Sequence, residues 1–366
     1  MISILKKYLN TTNAKVSFKT LTSGHINKTV EATLSYPTHE MRYILQRINT
    51  QIFPKPQDIM ENIETVAKHL EAKNYPRPIL KCMPLIKNEG FLVENDSNTE
   101  GPLLNQNAET EGTWRVVYAI ENSYSILTVD NTEQAYDAAF AFGEYGRYLS
   151  DLDVSKIHTI IPRFHDADLR IEQFRAALKG GPSVLRLEKA KNDLVFIQNH
   201  IPFFENKKLD IPLRVTHNDT KISNILFDKT TKKPSCIIDL DTLQPSTILS
   251  DYGDMVRAYT PNMGEDDPNF KDLTMRFDFF KSMTAGFLDG LKEALTPNEK
   301  AALIFGAKRT IFVQALRFMS DYLNNDVYYK THYDDHNLIR AQNQLALYES
   351  ILKQEKEMEK FILEGK

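Results

Sequence analysis

The chain has 366 residues, enough for two domains or one large two-lobed unit. Hydrophobic residues make up 42% and charged residues 26%, which excludes disorder across the whole chain, and a formal net charge of −4 leaves no global basic field for nucleic acid. No apolar run approaches the roughly 18 residues needed to cross a bilayer, and two cysteines, Cys82 and Cys236, make neither a disulfide framework nor a Cys-based zinc site. Met1 to Asn10 holds too few apolar residues for a signal-peptide core. The expectation is a reduced, cytoplasmic protein, monomeric or weakly dimeric, with no membrane partner.

In chain order, Lys15 to Leu21 reads as a strand and ends in Thr22-Ser23-Gly24-His25-Ile26-Asn27. Thr29 to Tyr36 and Tyr43 to Ile48 read as further strands. Asp58 to Lys73 has helical spacing, with Ile59, Ile63, Val66, Ala67 and Leu70 along one face. Ile79 to Ile86, Gly90 to Val93 and Trp114 to Ile120 are expected to be strands. The polar stretch Glu94 to Thr113 is acidic and reads as an exposed loop. Trp114, the only tryptophan, reads as strand core. From Thr132 onward the pattern is mostly helical. A helix spans Glu133 to Leu149, another starts near Ala167 and ends at Gly180-Gly181-Pro182, and Ser183 is placed to cap the next. Two short strands, Ile225 to Phe227 and Cys236 to Ile238, flank the turn-like segment Asp228 to Ser235 and read as a hairpin. The remainder is helical. The fold class is α+β, a small β-rich lobe over 1–122 and a larger helical lobe over 123–366.

The chemistry concentrates in Val215-Thr216-His217-Asn218-Asp219-Thr220-Lys221-Ile222-Ser223-Asn224, a His-x-Asp-x-x-x-x-Asn pattern that runs into an apolar strand. Downstream, Cys236-Ile237-Ile238 ends in Asp239-Leu240-Asp241. Phosphoryl transfer needs a base or positioner for the acceptor hydroxyl and hard oxygen ligands for Mg²⁺. Asp219 suits the first role, and Asn224 and Asp239 the second, since a hairpin returns the end of its second strand to the start of its first. Asp239 and Asp241 share a face if the strand stays extended, so Asp241 is a candidate ligand for a second ion. Lys221 is placed to neutralise charge on the transferring group.

Together with Gly24-His25-Ile26-Asn27, Leu45-Gln46-Arg47-Ile48-Asn49, Met60-Glu61-Asn62-Ile63, Ile161-Pro162-Arg163-Phe164-His165-Asp166, Asp251-Tyr252-Gly253-Asp254 and Arg317 to Lys330, these stretches resemble the kinase-like phosphotransferase superfamily. That superfamily includes the aminoglycoside phosphotransferases. The Leu45 to Asn49 and C-terminal stretches resemble the N-acetylhexosamine 1-kinases more closely. The resemblance implies a two-lobed protein-kinase-like fold, ATP and Mg²⁺ as cofactors, and a sugar acceptor. It implies that Asp219 is the base for an anomeric hydroxyl and that Asn224 and Asp239 bind Mg²⁺. The turn with Ser23, Gly24, His25 and Asn27 would approach the nucleotide phosphates, and the segment around Glu121 would meet the adenine. Arg317 and Tyr328 would contact the sugar, with Asp321 as a further candidate.

Several positions admit other readings. A protein kinase has a lysine on its third strand, and Tyr43 to Ile48 has none. Gln46 and Arg47 lie on opposite faces, so only one faces the nucleotide; Arg47 has the charge, with Glu61 or Glu64 as its expected partner. Ser250 or Asp251 is placed to N-cap a helix, with Asp254 near its positive end; the alternative is support of the catalytic loop. His332 and His336 have the spacing of a helical zinc pair but lack a metalloprotease glutamate. An aminoglycoside or choline acceptor would draw on Asp321, Asp326, Asp334 and Asp335. A non-catalytic nucleotide-binding module is the third reading.

Overall fold

The computed structural model describes residues 1–21, 26–87, 90–95 and 111–365. In chain order the first elements are α1 (Ile2–Tyr8), β1 (Lys15–Leu21), β2 (Lys28–Ser35), β3 (Glu40–Arg47), α2 (Pro56–Ala72), β4 (Val93–Asn95), β5 (Gly112–Tyr118) and β6 (Ser123–Ser125). Then come α3 (Thr132–Tyr148), α4 (Ala167–Lys179), α5 (Val184–Phe204), β7 (Arg214–Thr216), β8 (Ile225–Asp228), β9 (Pro234–Ile237) and β10 (Gln244–Ser246). The last are α6 (Ile248–Tyr259), α7 (Phe277–Leu291), α8 (Pro297–Leu323) and α9 (His336–Glu364). The chain divides into two compact units. The first comprises Met1–Tyr124, Asp151–Ile161 and Leu226–Gln244, and the second Ser125–Ser150, Pro162–Ile225 and Pro245–Lys366.

The first unit is built on an antiparallel sheet ordered β1-β2-β3-β5-β4. Alternation in β2 turns Val30, Ala32 and Leu34 to the core, where they meet Tyr43, Leu45, Trp114 and Val116. Trp114 is fully buried, the strand-core position expected of it. Helix α1, not anticipated from the sequence, covers this core with Ile4, Leu5 and Tyr8. Ile79 to Ile86 forms no strand; it pairs with the sheet through the isolated bridge Cys82 to Val117, and Met83 adds to the core beneath. Pro84 has no N–H to extend a ladder. Helix α2 buries Ile59, Ile63, Val66, Ala67 and Leu70, as its spacing predicts. The loop reading of Glu94 to Thr113 fails at its ends, where Glu94 and Asn95 belong to β4 and Gly112 and Thr113 to β5; residues 96–110 lie outside the described residues. A second sheet of this unit, ordered β6-β8-β9, carries the expected hairpin.

The second unit is helical. Side chains cap three of its helices: Asn131 accepts from the Gln134 N–H, Asp166 from that of Leu169, and Ser183, the cap expected from the sequence, from that of Arg186. Helix α9 begins at His336, so His332 lies ahead of it and the two histidines do not share a helix face. In the core Phe204 stacks on Phe312, and both rings pack tilted against Tyr348.

Helices α3 and α7 meet at glycines. A Cβ on Gly286 would lie 2.2 Å from the Tyr136 carbonyl oxygen, and one on Gly290 would lie 2.4 Å from that of Phe140. Backbone cannot yield as a flexible side chain does. Gly286→Ala should therefore cost about 1–3 kcal/mol or more by overpacking. Denaturant unfolding checks this, and a midpoint equal to the parent's would contradict it.

Candidate active site

The second unit positions the catalytic-loop residues from two directions. Strand β7 leads directly into His217, and α6 supplies the anchor. Asp251 in α6 accepts the backbone N–H of His217 at 3.1 Å and of Asn218 at 2.7 Å. Asn218 has φ 66, a left-handed conformation that asparagine tolerates. Thr220 Oγ1 donates to the Asp251 carbonyl at 2.7 Å, and the Tyr259 hydroxyl donates to the Thr220 carbonyl at 2.7 Å. Asp251 is thus a loop support. The N-cap reading does not hold: α6 starts at Ile248 after Thr247, and no side chain caps it. Asp254 instead pairs with Arg257 at 2.9 Å.

Asp219 is held at the tip. Its Oδ2 receives Lys221 Nζ at 2.9 Å and Asn224 Nδ2 at 2.9 Å, and its backbone carbonyl receives the same Asn224 amide at 2.8 Å. A 3₁₀ turn over Ile222–Asn224 makes that reach possible. Burial pushes the Asp219 carboxyl up, but Lys221, with His217 and Asn224, holds it below the ordinary carboxylate range. The group is therefore ionised throughout the neutral range. The amide nitrogen of Asn224 is turned to Asp219, which leaves its Oδ1 as an oxygen of the kind Mg²⁺ takes.

Burial drives Asp251 the other way, up to about 6 against an ordinary 3.8, although His217 and the two N–H donors oppose this. The sign follows. Between pH 3.8 and about 6 the folded protein holds a proton that the unfolded chain releases. The stability this group contributes is full below 3.8, falls as pH rises through that window and is lost above about 6. In denaturation across pH 4 to 8, the cost of Asp251→Asn should therefore shrink as pH rises, by on the order of 3 kcal/mol. A cost independent of pH would contradict it.

The first unit holds Asp239 and Asp241. Strand β9 ends at Ile237, Asp239 has φ 60, and a 3₁₀ turn covers Leu240–Thr242. The extended Asp239-Leu240-Asp241 on which the second-ion reading rests is therefore absent. Asp241 turns inward. Its Oδ1 lies 2.6 Å from Arg115 Nη1 and its Oδ2 accepts Asn27 Nδ2 at 2.6 Å, with both charged side chains 2% exposed. Arg115 Nε donates to Gln46 Oε1 at 2.9 Å, and Asn27 Oδ1 accepts the Asn49 N–H at 2.9 Å. Asp241 is committed to an internal network, which fits an anchor better than an ion ligand.

That network also bears on the third strand. Gln46 faces Arg115, and the guanidinium paired with Asp241 comes from β5 rather than from Arg47. Neither helix carboxylate pairs with Arg47: Glu61 meets His158 at 2.9 Å, and Glu64 meets Lys68 at 2.7 Å. Glu121 is exposed and pairs with Arg42 at 2.5 Å. Ser23, Gly24 and His25 lie outside the described residues. Sequence reasoning passed over Arg115, which sits among the apolar residues of β5.

In the second unit Asp321 is 5% exposed and accepts the N–H groups of Tyr328 and Tyr329 at 2.8 and 2.9 Å, with Asn337 Nδ2 at 2.9 Å. It fixes the turn that presents Tyr328, which is 65% exposed. Arg317 from α8 lies 5.5 Å from the Tyr329 ring centroid and 5.9 Å from that of Phe164. Arg317 and Tyr328 are thus brought to one region through Asp321 and Tyr329.

A β-sheet unit joined to a helical unit that carries an Asp-x₄-Asn loop makes this a kinase-like fold. Residues 17–279 match the phosphotransferase enzyme family, and the chain belongs to it. Solved structures share the fold at low identity. The choline kinase of Cryptosporidium parvum is 14% identical, with 99% of this chain and 96% of that chain covered and a TM-score of 0.55. A spectinomycin phosphotransferase solved with ADP and spectinomycin is 11% identical, with 93% of each chain covered and a TM-score of 0.55. A microcompartment-associated aminopropanol kinase is 14% identical, with coverage of 96% and 98% and a TM-score of 0.53.

Proposed function

We propose that the protein is an ATP-dependent kinase that phosphorylates the anomeric hydroxyl of N-acetylglucosamine or N-acetylgalactosamine to the sugar 1-phosphate. The observation that carries the kinase reading is Asp219, ionised beside Lys221 and fixed on a loop that Asp251 supports. Asp219 accepts the hydroxyl proton as the sugar oxygen attacks the terminal phosphorus and ADP leaves. Lys221 offsets charge on the transferring group. Asn224 and Asp239 offer an amide oxygen and a carboxylate, the donor types Mg²⁺ takes, and the ion when bound would neutralise the nucleotide phosphates. The choice of sugar rests on the Leu45 to Asn49 and Arg317 to Lys330 stretches.

Three of the four acids that would suit a cationic acceptor are engaged elsewhere, while Asp334 is exposed. Asp321 holds backbone N–H groups, Asp326 pairs with Arg186 at 2.7 Å, and Asp335 pairs with Lys189 and Tyr322. This favours a sugar over choline or an aminoglycoside. Incubation with Mg-ATP and a panel of sugars, amino sugars, choline and aminoglycosides, read by ADP release, tests the reading. Phosphorus NMR of the product should show coupling to an anomeric proton. Release only with a cationic acceptor would replace the sugar assignment.

A further inference from the structure

Buried charges in folded proteins are normally paired, because an unpaired one loses its hydration without compensation. Beside the catalytic loop the second unit holds arginines that are only half-buried, yet two of them keep a buried Nε without a partner. His165 places Nε2 3.3 Å from the carbonyl of Asn218, the residue before Asp219. A carbonyl only accepts, so Nε2 carries the hydrogen. Burial, with Arg309 and Arg317 close by, holds the ring down to about 3, so it is neutral and adds no charge of its own.

Three arginines bear electrostatically on that ring: Arg170 from α4, and Arg309 and Arg317 from α8. Arg170 donates to Gln173 Oε1 at 2.9 Å and to the Phe164 carbonyl at 3.0 Å, and its Nε is buried with no partner. Arg309 reaches only Thr247 Oγ1, at 3.5 Å, and its Nε is likewise buried and unpartnered. Arg317 donates to Gln314 Oε1 at 3.0 Å. None of the three forms an ion pair among the described residues. The carboxylate whose field reaches Arg170 and Arg309 is Asp166. Its oxygens are already taken by Arg163 Nε at 2.6 Å and by the N–H of Leu169 at 3.1 Å.

Three like charges with no direct ion pair among the described residues leave a place for an external anion. A guanidinium with free N–H groups takes a planar carboxylate or a phosphate in two-pronged fashion. We propose that the acceptor of this enzyme carries a carboxylate or phosphate group, which docks on Arg170, Arg309 and Arg317. The inference rests on the kinase reading and narrows it: the substrate is an acidic derivative of the amino sugar rather than the neutral sugar.

Two measurements test it. In the first, kcat/KM with Mg-ATP is compared for N-acetylglucosamine, its 6-phosphate, its 3-O-lactyl acid and glucosamine. At least one acid should exceed the neutral and cationic sugars by about ten- to hundredfold, the worth of one charged hydrogen-bonded contact. In the second, inorganic phosphate and citrate are titrated into protein saturated with a non-hydrolysable ATP analogue, and thermal stabilisation is followed. The parent should be stabilised, and Arg309→Gln and Arg170→Gln should lose the effect. Turnover of N-acetylglucosamine with no gain for either acid would overturn the acidic acceptor and leave the kinase reading standing. No turnover of any amino sugar, with anion stabilisation that Arg309→Gln removes, would sink the sugar and support the anion site. Equal stabilisation of parent and variants would overturn the site itself. If the variants do not fold, the acceptor ranking of the parent decides.

Discussion

Asp219→Asn should lower turnover by about 10²–10⁴-fold, the usual worth of a positioned base. The substitution keeps the shape of the side chain and removes its charge. Lys221 then loses its partner, and the Asn224 amide faces a group that is a poorer acceptor. The loop itself should stay in place, because its anchors are Asp251 and Tyr259 rather than Asp219. Nucleotide affinity and unfolding temperature are therefore expected to remain close to the parent's. Steady-state kinetics, with nucleotide binding measured by calorimetry, separates these effects. Unchanged turnover would remove Asp219 from the chemistry. A collapse of folding would show instead that its contacts with Lys221 and Asn224 hold the loop together.

The largest stability effect is expected at Arg115. Its side chain and that of Asp241 are each 2% exposed and face one another at 2.6 Å. Removal of one partner strands the other charge in a dry interior, which costs about 3–5 kcal/mol. Arg115→Met and Asp241→Leu should each show a loss of that size in denaturant unfolding. The double variant should be less destabilised than the two single losses added together, since no charge is then left unpaired. Simple additivity would mean that the pair is not coupled. Because Asn27 also binds Asp241, the single Asp241 variant should disturb the segment around Asn27 as well.

Much of this was legible in the order of residues. Period-two alternation marks β2, and 3.6-residue spacing marks α2, because each element buries one face. Asp219, Lys221 and Asn224 were legible for a related reason: they lie within one turn of chain, so their spacing nearly determines their geometry. Arg115 and Asp241 were not. Far apart in sequence, they meet only once β5 and the turn after β9 are in place. Asp241 was read on an extended strand, and the left-handed Asp239 overturned that reading. Ile79 to Ile86 looked like a strand because it is apolar, yet apolarity does not supply the missing N–H of Pro84. The arginines around His165 carry no local pattern at all, for they come from two helices and are defined by what they lack.

The first unit is assembled from three stretches of chain, the last of which closes at Gln244. During synthesis on the ribosome, the sheet over 1–124 emerges long before the aspartate that neutralises its buried arginine. Asn62 waits likewise for the Leu243 carbonyl, and the N–H groups of Ile160 and Ile161 wait for Gln244. A nascent chain halted at residue 124 would carry a hydrophobic sheet around an unneutralised cation. It would be a natural client for chaperones and a poor candidate for an autonomous fragment.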